Sequence, residues 1–358
     1  MDAIQAKPKR SVWRRRLAWA LGVGVVFVLG LELTLRQLGY AQRATMYFDP
    51  EIGFRSWPNQ TRWQLGPDLK PTVRMHLNGL GFRGPVLPEP REPGVGRILT
   101  LGDSYNFGLG VEDDQTYPVQ LERELNAAGG GQRFEVMDVS YPGWAPANEA
   151  AAYHQLARKF RPDVVVLGFT FNDLQLPDGG MRYTNGPFFQ LFGNTAIGWA
   201  ITTKWLNKLP GFLIEQDPAT VALQTAYMAD ANAIPLHAAE PQAEPYWKQA
   251  MAAIERLQAD VQADGGRLIV AYFPAHLQIE RLRELAKNGR LEDAQARSAI
   301  CSLQEELARR LAPLGLVLVD CTDALLQAES EPFDGLDRGH PGPTGLRVLA
   351  RRVARSVL

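Results

Sequence analysis

The chain has 358 residues, a formal net charge of −1, and 46% apolar and 22% charged residues. That length allows one sizeable core with additions. Nothing in the near-neutral charge suggests a nucleic-acid binder. The charge is unevenly placed, however. Lys7, Lys9, Arg10, Arg14, Arg15 and Arg16 crowd the first sixteen residues, with Asp2 the one acidic group among them.

An apolar run, LAWALGVGVVFVLGL, follows at 17–31, and Leu33, Leu35 and Leu38 extend it past Glu32. A bilayer-spanning helix needs about 20 largely apolar residues, and cations flanking it stay on the cytoplasmic side. We therefore expect a cytoplasmic basic segment at 1–16 and a single-pass signal anchor in the inner or plasma membrane at 17–38. The rest of the chain would then be periplasmic or extracellular. A cleaved signal peptide is the competing reading, but Glu32, Arg36 and Gln37 occupy the place where a small-x-small cleavage site would stand.

Residues 39–96 are rich in aromatics, proline and glycine and show no helical period, which predicts a strap of short strands. Asn78-Gly79 marks a hairpin turn between VRMHL and LGFRG. From Arg97 onward short apolar runs alternate with amphipathic stretches. Strands are expected at 97–103, 134–140, 162–171, 267–274 and 316–321. Helices are expected at 117–127, 149–160, 245–263, 279–311 with a break, and 344–357. This pattern predicts a three-layer α/β/α, doubly wound fold around a mainly parallel five-stranded sheet. Ligands bind such folds beyond the carboxyl ends of the strands. The alternation stops at about 174–245, an insertion that reads as a lid, with contact to the same membrane as the second choice.

Cys301 and Cys321 would both lie on the outer side, where disulfides persist. About 15 Å of helix out and about 16 Å of strand back would bring them level, so a Cys301–Cys321 bond stands against two buried thiols.

Four motifs fall where ligands should bind. In LGDSYNFGLGV, Ser104 follows the first strand of the sheet. Asn106 stands where an α/β-hydrolase elbow would have its second glycine, so the pattern is not G-x-S-x-G. In YPGW, Gly143 can bring its N–H close to an oxyanion. In GFTFND, the Asn172 amide can donate to the same oxyanion, and Asp173 supports the loop. In FDGLDRGHPGPTG, Asp337 lies three residues before His340, close enough in sequence to accept from Nδ1 and leave Nε2 to take a serine proton. Singly, each motif also reads as an ordinary turn or cap.

In this order, Ser104, Gly143, Asn172 and Asp337-x-x-His340 resemble the blocks of the SGNH hydrolase superfamily, the GDSL-like esterases. The resemblance runs from Arg97 to Leu358 apart from the insertion. It implies a serine esterase with Ser104 as nucleophile, His340 as base and acid, and Asp337 orienting it. The Ser104 and Gly143 N–H groups and the Asn172 side chain would form the oxyanion hole. No cofactor or metal is implied. The expected substrate is an acyl, especially acetyl, ester on envelope carbohydrate or lipid. Transfer of the acyl group to an extracellular polysaccharide, beside a membrane acyltransferase partner, is the alternative; a silent binding subunit is a third. His76, His154, His237 and His276 have no such setting and are expected to be structural.

Overall fold

The computed structural model describes residues 10–37, 46–65, 71–174, 181–183, 197, 214–216, 243–336 and 339–358. They fall into two units, one of residues 1–45 with 183–213 and one of 46–182 with 214–358. Most of the insertion, together with His237 and Asp337, lies outside the described residues.

In the first unit, helix α1 (Arg10–Gln37) contains the span Val12–Gln37, whose mean hydropathy is 2.0 and no part of which is buried. By length and composition it can cross a membrane. The helix starts inside the basic cluster and carries Arg14, Arg15 and Arg16 in its first turns. Near its end Glu32 pairs with Arg36 at 2.8 Å and also accepts the Ile197 N–H at 3.0 Å.

The second unit is built on five parallel strands, β5 to β9. Before them come two antiparallel pairs, β1 (Met46–Asp49) with β2 (Gly53–Ser56) and β3 (Thr61–Leu65) with β4 (Pro71–His76). The sheet itself comprises β5 (Gly96–Gly102), β6 (Phe134–Ser140), β7 (Val164–Phe169), β8 (Arg267–Tyr272) and β9 (Leu318–Asp320), in the order β9-β8-β7-β5-β6. From β5 the chain first steps to one side, to β6. It then returns across β5 to β7 and continues outward. The direction reverses beside β5, and the crevice at the carboxyl ends of β5 and β7 is the switch point where doubly wound folds bind ligands.

Register explains why these runs are strands. Ile98 lies beside both Val136 and Val164, Val166 beside Ile269, and Ala271 beside Val319. With the strand period of two, these residues share one face and one core cluster. Over that face pack α3 (Tyr117–Ala128) and the last helix, α9 (Pro343–Val357), through Leu121, Leu125, Leu346, Leu349 and Val353. The opposite face, with Val165, Leu167 and Phe169, is covered by α4 (Pro146–Ala152) and α5 (Glu244–Ala263). The Trp247 ring of α5 stacks on Phe169, with centroids 6.2 Å apart. Arg310, on α7 (Ala294–Leu311), caps this layer. It lies over the Trp247 ring at 4.9 Å and pairs with Glu244 at 2.6 Å.

Some boundaries move for local reasons. The helix expected at 149–160 begins at Pro146, whose fixed φ suits a first turn, and ends through a wide π turn at Tyr153–Ala157. The stretch expected at 279–311 is two helices, α6 (His276–Lys287) and α7, separated where Gly289 takes a positive φ. Asn78 does reverse the chain, but through a longer turn than a two-residue hairpin. Its Oδ1 accepts the N–H groups of Leu80 and Phe82, and Leu77 bridges Arg83. The short helix α8 (Thr322–Leu326) follows β9. Of the two readings for the cysteines, both thiols are free and buried. Cys321 faces the Val319–Leu325 core, and its Sγ lies 3.7 Å from the Val319 carbonyl. Burial pushes the Cys301 thiol up to about 11 and the Cys321 thiol higher still.

The strap strands are part of this unit's packing. Val73, Met75 and Leu77 cover Phe107 and Leu109, just beyond Ser104. The Trp144 indole N–H donates to Phe54 O at 2.8 Å, and the Asn148 amide donates to Ile52 O at 2.7 Å. Arg83 is 1% exposed, yet every guanidinium nitrogen has an acceptor: Phe107 O, Gly108 O, Val111 O and the Asp113 carboxylate. A buried cation survives only when satisfied in this way. Here the acceptors are the loop that follows Ser104.

Candidate active site

Ser104 opens a single helical turn, α2 (Ser104–Phe107), immediately after β5. Asp103 caps that turn by accepting the Tyr105 N–H on Oδ1 at 2.9 Å, so the chain bends sharply and Ser104 stands at the strand's carboxyl end. The turn needs close backbone approach. A Cβ at Gly102 would lie 2.4 Å from Asn106 Oδ1, and one at Gly168 would lie 2.3 Å from it. Asn106, donating to Leu101 O at 2.9 Å, therefore fills the gap between β5 and β7 that the two glycines leave open. This explains why an asparagine serves at the position that a G-x-S-x-G elbow gives to glycine.

His340 arrives from the opposite end of the chain on the loop before α9. Its Nε2 lies 2.9 Å from Ser104 Oγ, within reach for proton transfer. Tyr105 holds that loop in place, donating from its hydroxyl to Gly339 O at 3.1 Å and setting its ring edge-on to the imidazole at 5.5 Å.

Gly143 sits in the turn after β6, the strand next to β5. The Tyr141 N–H donates to Gly102 O at 3.3 Å, which ties this turn to the base of the Ser104 loop. Gly143 has φ +84°, and no atom lies within 4 Å of where a Cβ would stand. The conformation suits glycine, and the position opens onto free space.

Asn172 lies in a tight turn, Phe171–Asp173, after β7. Its Oδ1 contacts the Thr170 hydroxyl, which is 3.1 Å from Asp103 Oδ2. Ser104, His340, Gly143 and Asn172 thus stand on neighbouring loops at one edge of the sheet. Asp337 is outside the described residues.

The electrostatics of this edge are unusual. Asp103, Asp173 and Glu149 are all buried. Burial raises Asp103 above the usual carboxylate range, opposed by the Tyr105 N–H and by His340. Burial, reinforced by repulsion among the three, raises Asp173 and Glu149 well above it. On β6, Asp138 is pushed up to about 7 by burial, against the opposing hydrogen bond from Ser140.

The other histidines pair elsewhere: His76 with Asp113 at 2.6 Å, His154 with Asp260 at 2.9 Å and His276 with Glu280 at 3.3 Å. Sequence reasoning did not identify Tyr105, Thr170, Glu149 or Arg83. Tyr105 and Thr170 stand inside motifs already singled out, and their position beside Ser104 and Asn172 was the available signal. Glu149 and Arg83 carry no comparable mark. Among the described residues no group of His, Cys, Asp or Glu is arranged to hold a metal ion.

Residues 100–348 match the model of the GDSL-like Lipase/Acylhydrolase family. No curated protein sequence matches the chain. Solved structures similar to it include a lipase from a goat rumen metagenome, at 12% identity and TM-score 0.43, covering 73% of this chain and 96% of that one. A lipase/acylhydrolase from Enterococcus faecalis aligns at 15% identity and TM-score 0.40, covering 73% and 95%. A catalytic mutant of an acetylxylan esterase from Geobacillus stearothermophilus aligns at 14% identity and TM-score 0.41, covering 73% and 94%.

Proposed function

Since the chain belongs to the GDSL-like lipase/acylhydrolase family and is an ester-cleaving hydrolase, we propose that it works through Ser104 and His340, with Asp337 as the third member of a triad. The observation that carries this reading is the 2.9 Å contact between Ser104 Oγ and His340 Nε2 at the switch point of the sheet. In this mechanism Ser104 Oγ attacks the ester carbonyl and its proton passes to His340 Nε2. The negative charge that develops on the carbonyl oxygen is met by the Ser104 and Gly143 N–H groups and the Asn172 NH₂. Collapse of that intermediate breaks the bond to the alcohol oxygen, which takes the proton from His340. Water, activated by the same imidazole, then releases the acid and restores Ser104. Asp337, three residues from His340, holds the ring and balances its charge.

The reading extends to place and substrate. Residues 1–16 remain in the cytoplasm, 17–38 anchor the chain, 39–96 form a strap, and 97–358 form the hydrolase domain, interrupted by a lid at about 174–245. Its support is the apolar, unburied α1 with cations at its amino end. An anchor of this kind keeps the site at the envelope, so the substrate is an acyl, foremost acetyl, ester of envelope carbohydrate or lipid.

The test is covalent labelling of the full chain in detergent with a fluorophosphonate, together with hydrolysis of p-nitrophenyl acetate and of acetylated sugars. A single adduct on Ser104 and loss of hydrolysis in Ser104→Ala support the reading. Wild-type hydrolysis by Ser104→Ala would sink it. Acetyl appearing on an added sugar rather than in water would redirect it to acyl transfer.

A further inference from the structure

The carboxyl ends of β5 and β7 hold two buried carboxyl groups that a serine hydrolase mechanism does not use, Asp103 and Asp173, and they meet at one hydroxyl. Thr170 is fully buried. Its Oγ1 contacts Asn172 Oδ1, and lies 3.1 Å from Asp103 Oδ2 and 3.4 Å from Asp173 Oδ2. Its N–H donates to Asp173 Oδ2 at 2.5 Å. A threonine hydroxyl has one proton, so it can satisfy one of these three oxygens as donor. The other contacts are tolerable only if a carboxyl proton points toward the Thr170 oxygen.

Neither carboxyl oxygen of Glu149, nor Asp173 Oδ1, has a hydrogen-bond partner among the described residues. Among the described residues, the charged groups acting most on the three carboxyls are these carboxyls themselves and the imidazole of His340, and no arginine or lysine stands among them. Three carboxylates in one dry pocket cannot all ionise.

We propose that Thr170 is the positioning residue of the oxyanion hole. With Asp103 or Asp173 retaining a proton, its hydroxyl is free to donate to Asn172 Oδ1, while the Asn172 side chain also hydrogen-bonds Asp103, the residue before Ser104. Thr170 claims the amide oxygen and so leaves the NH₂ on the side of Asp103 and Ser104. The inference rests on Asn172 being an oxyanion donor, as proposed above.

The experiment measures kcat and KM for p-nitrophenyl acetate with the full chain in detergent, and compares Thr170→Val, Thr170→Ser, Asn172→Ala and the Thr170→Val/Asn172→Ala double variant. Circular dichroism reports folding, and Thr170→Ala replaces Thr170→Val if the valine does not fit. Asn172→Ala should lower kcat roughly a hundredfold. Thr170→Val should lower it about tenfold or more at little change in KM, because the donor is misdirected rather than removed. Thr170→Ser should recover most of the loss. The double variant should be no slower than Asn172→Ala, because the two residues act as one unit. Wild-type kcat in a folded Thr170→Val, additive losses in the double variant, or a serine variant as slow as the valine would each overturn the inference while leaving Asn172 in place. Wild-type kcat in Asn172→Ala would overturn both the inference and the oxyanion reading beneath it.

Discussion

Carboxyl groups at the two ends of the parallel sheet are treated in opposite ways. At the amino end, Asp163 accepts the Arg97 N–H at 2.7 Å and pairs with Arg91 at 2.5 Å, partly in solvent. Its exposed ion pair is worth about 0–1 kcal/mol. At the carboxyl end, Asp103, Asp173 and Glu149 are buried together, and two of them have oxygens with no partner among the described residues. Orphaned acceptors and stranded charges lower stability. The difference shows where the fold gives up stability, which is the edge where Ser104 and His340 meet.

If the carboxyl edge is the chemical end of the sheet, the largest effects should come from its reacting pair. Ser104→Ala and His340→Ala should each lower ester hydrolysis by about a thousandfold or more, with unfolding temperatures near wild-type. Comparable activity in either variant would mean the contrast between the ends has nothing to do with catalysis. Arg83 sharpens the comparison because it is a buried charge that is fully paired. Arg83→Met should cost about 1–3 kcal/mol in denaturant unfolding, since it leaves three carbonyls of the loop after Ser104, Phe107 O, Gly108 O and Val111 O, without their donor. A cost within error of zero would mean the strap is not structural.

A smaller effect concerns pH. Asp138, raised to about 7 in the fold from an ordinary carboxylate value, keeps its proton in the native state at pH values where the unfolded chain has lost it. Its contribution is therefore fully present at low pH and is lost as pH rises toward 7, with a slope of at most about 1.4 kcal/mol per pH unit. Asp138→Asn should flatten the stability profile between about pH 5 and 7, measured by urea unfolding. An unchanged slope would show that Asp138 is ionised throughout.

Much of this architecture was legible in the sequence because strand ends are punctuated. Gly102, Gly143 and Gly168 stand where backbones must approach closely or turn, and Ser104, Asn172 and His340 follow such punctuation. The five strands were equally visible, since Ile98, Val136, Val166 and Ile269 belong to apolar runs too short for helices. The functions of Arg83, Glu149 and Thr170 were not legible. An arginine in a turn-rich strap looks solvated until its acceptors, which lie more than twenty residues away, fold around it. Glu149 looks like a surface position of an amphipathic helix, yet α4 turns it inward beneath the site. Asp173 was visible only as loop support, because what raises it is burial in the folded protein, reinforced by repulsion from Asp103 on another segment.

The most direct test of the account is the mass of the full chain after reaction with a fluorophosphonate, followed by peptide mapping. The account predicts one adduct per chain, on Ser104, that forms rapidly in wild-type protein, slows by orders of magnitude in His340→Ala and is absent in Ser104→Ala. An adduct on another residue, or equally fast labelling of Ser104 without His340, would contradict it.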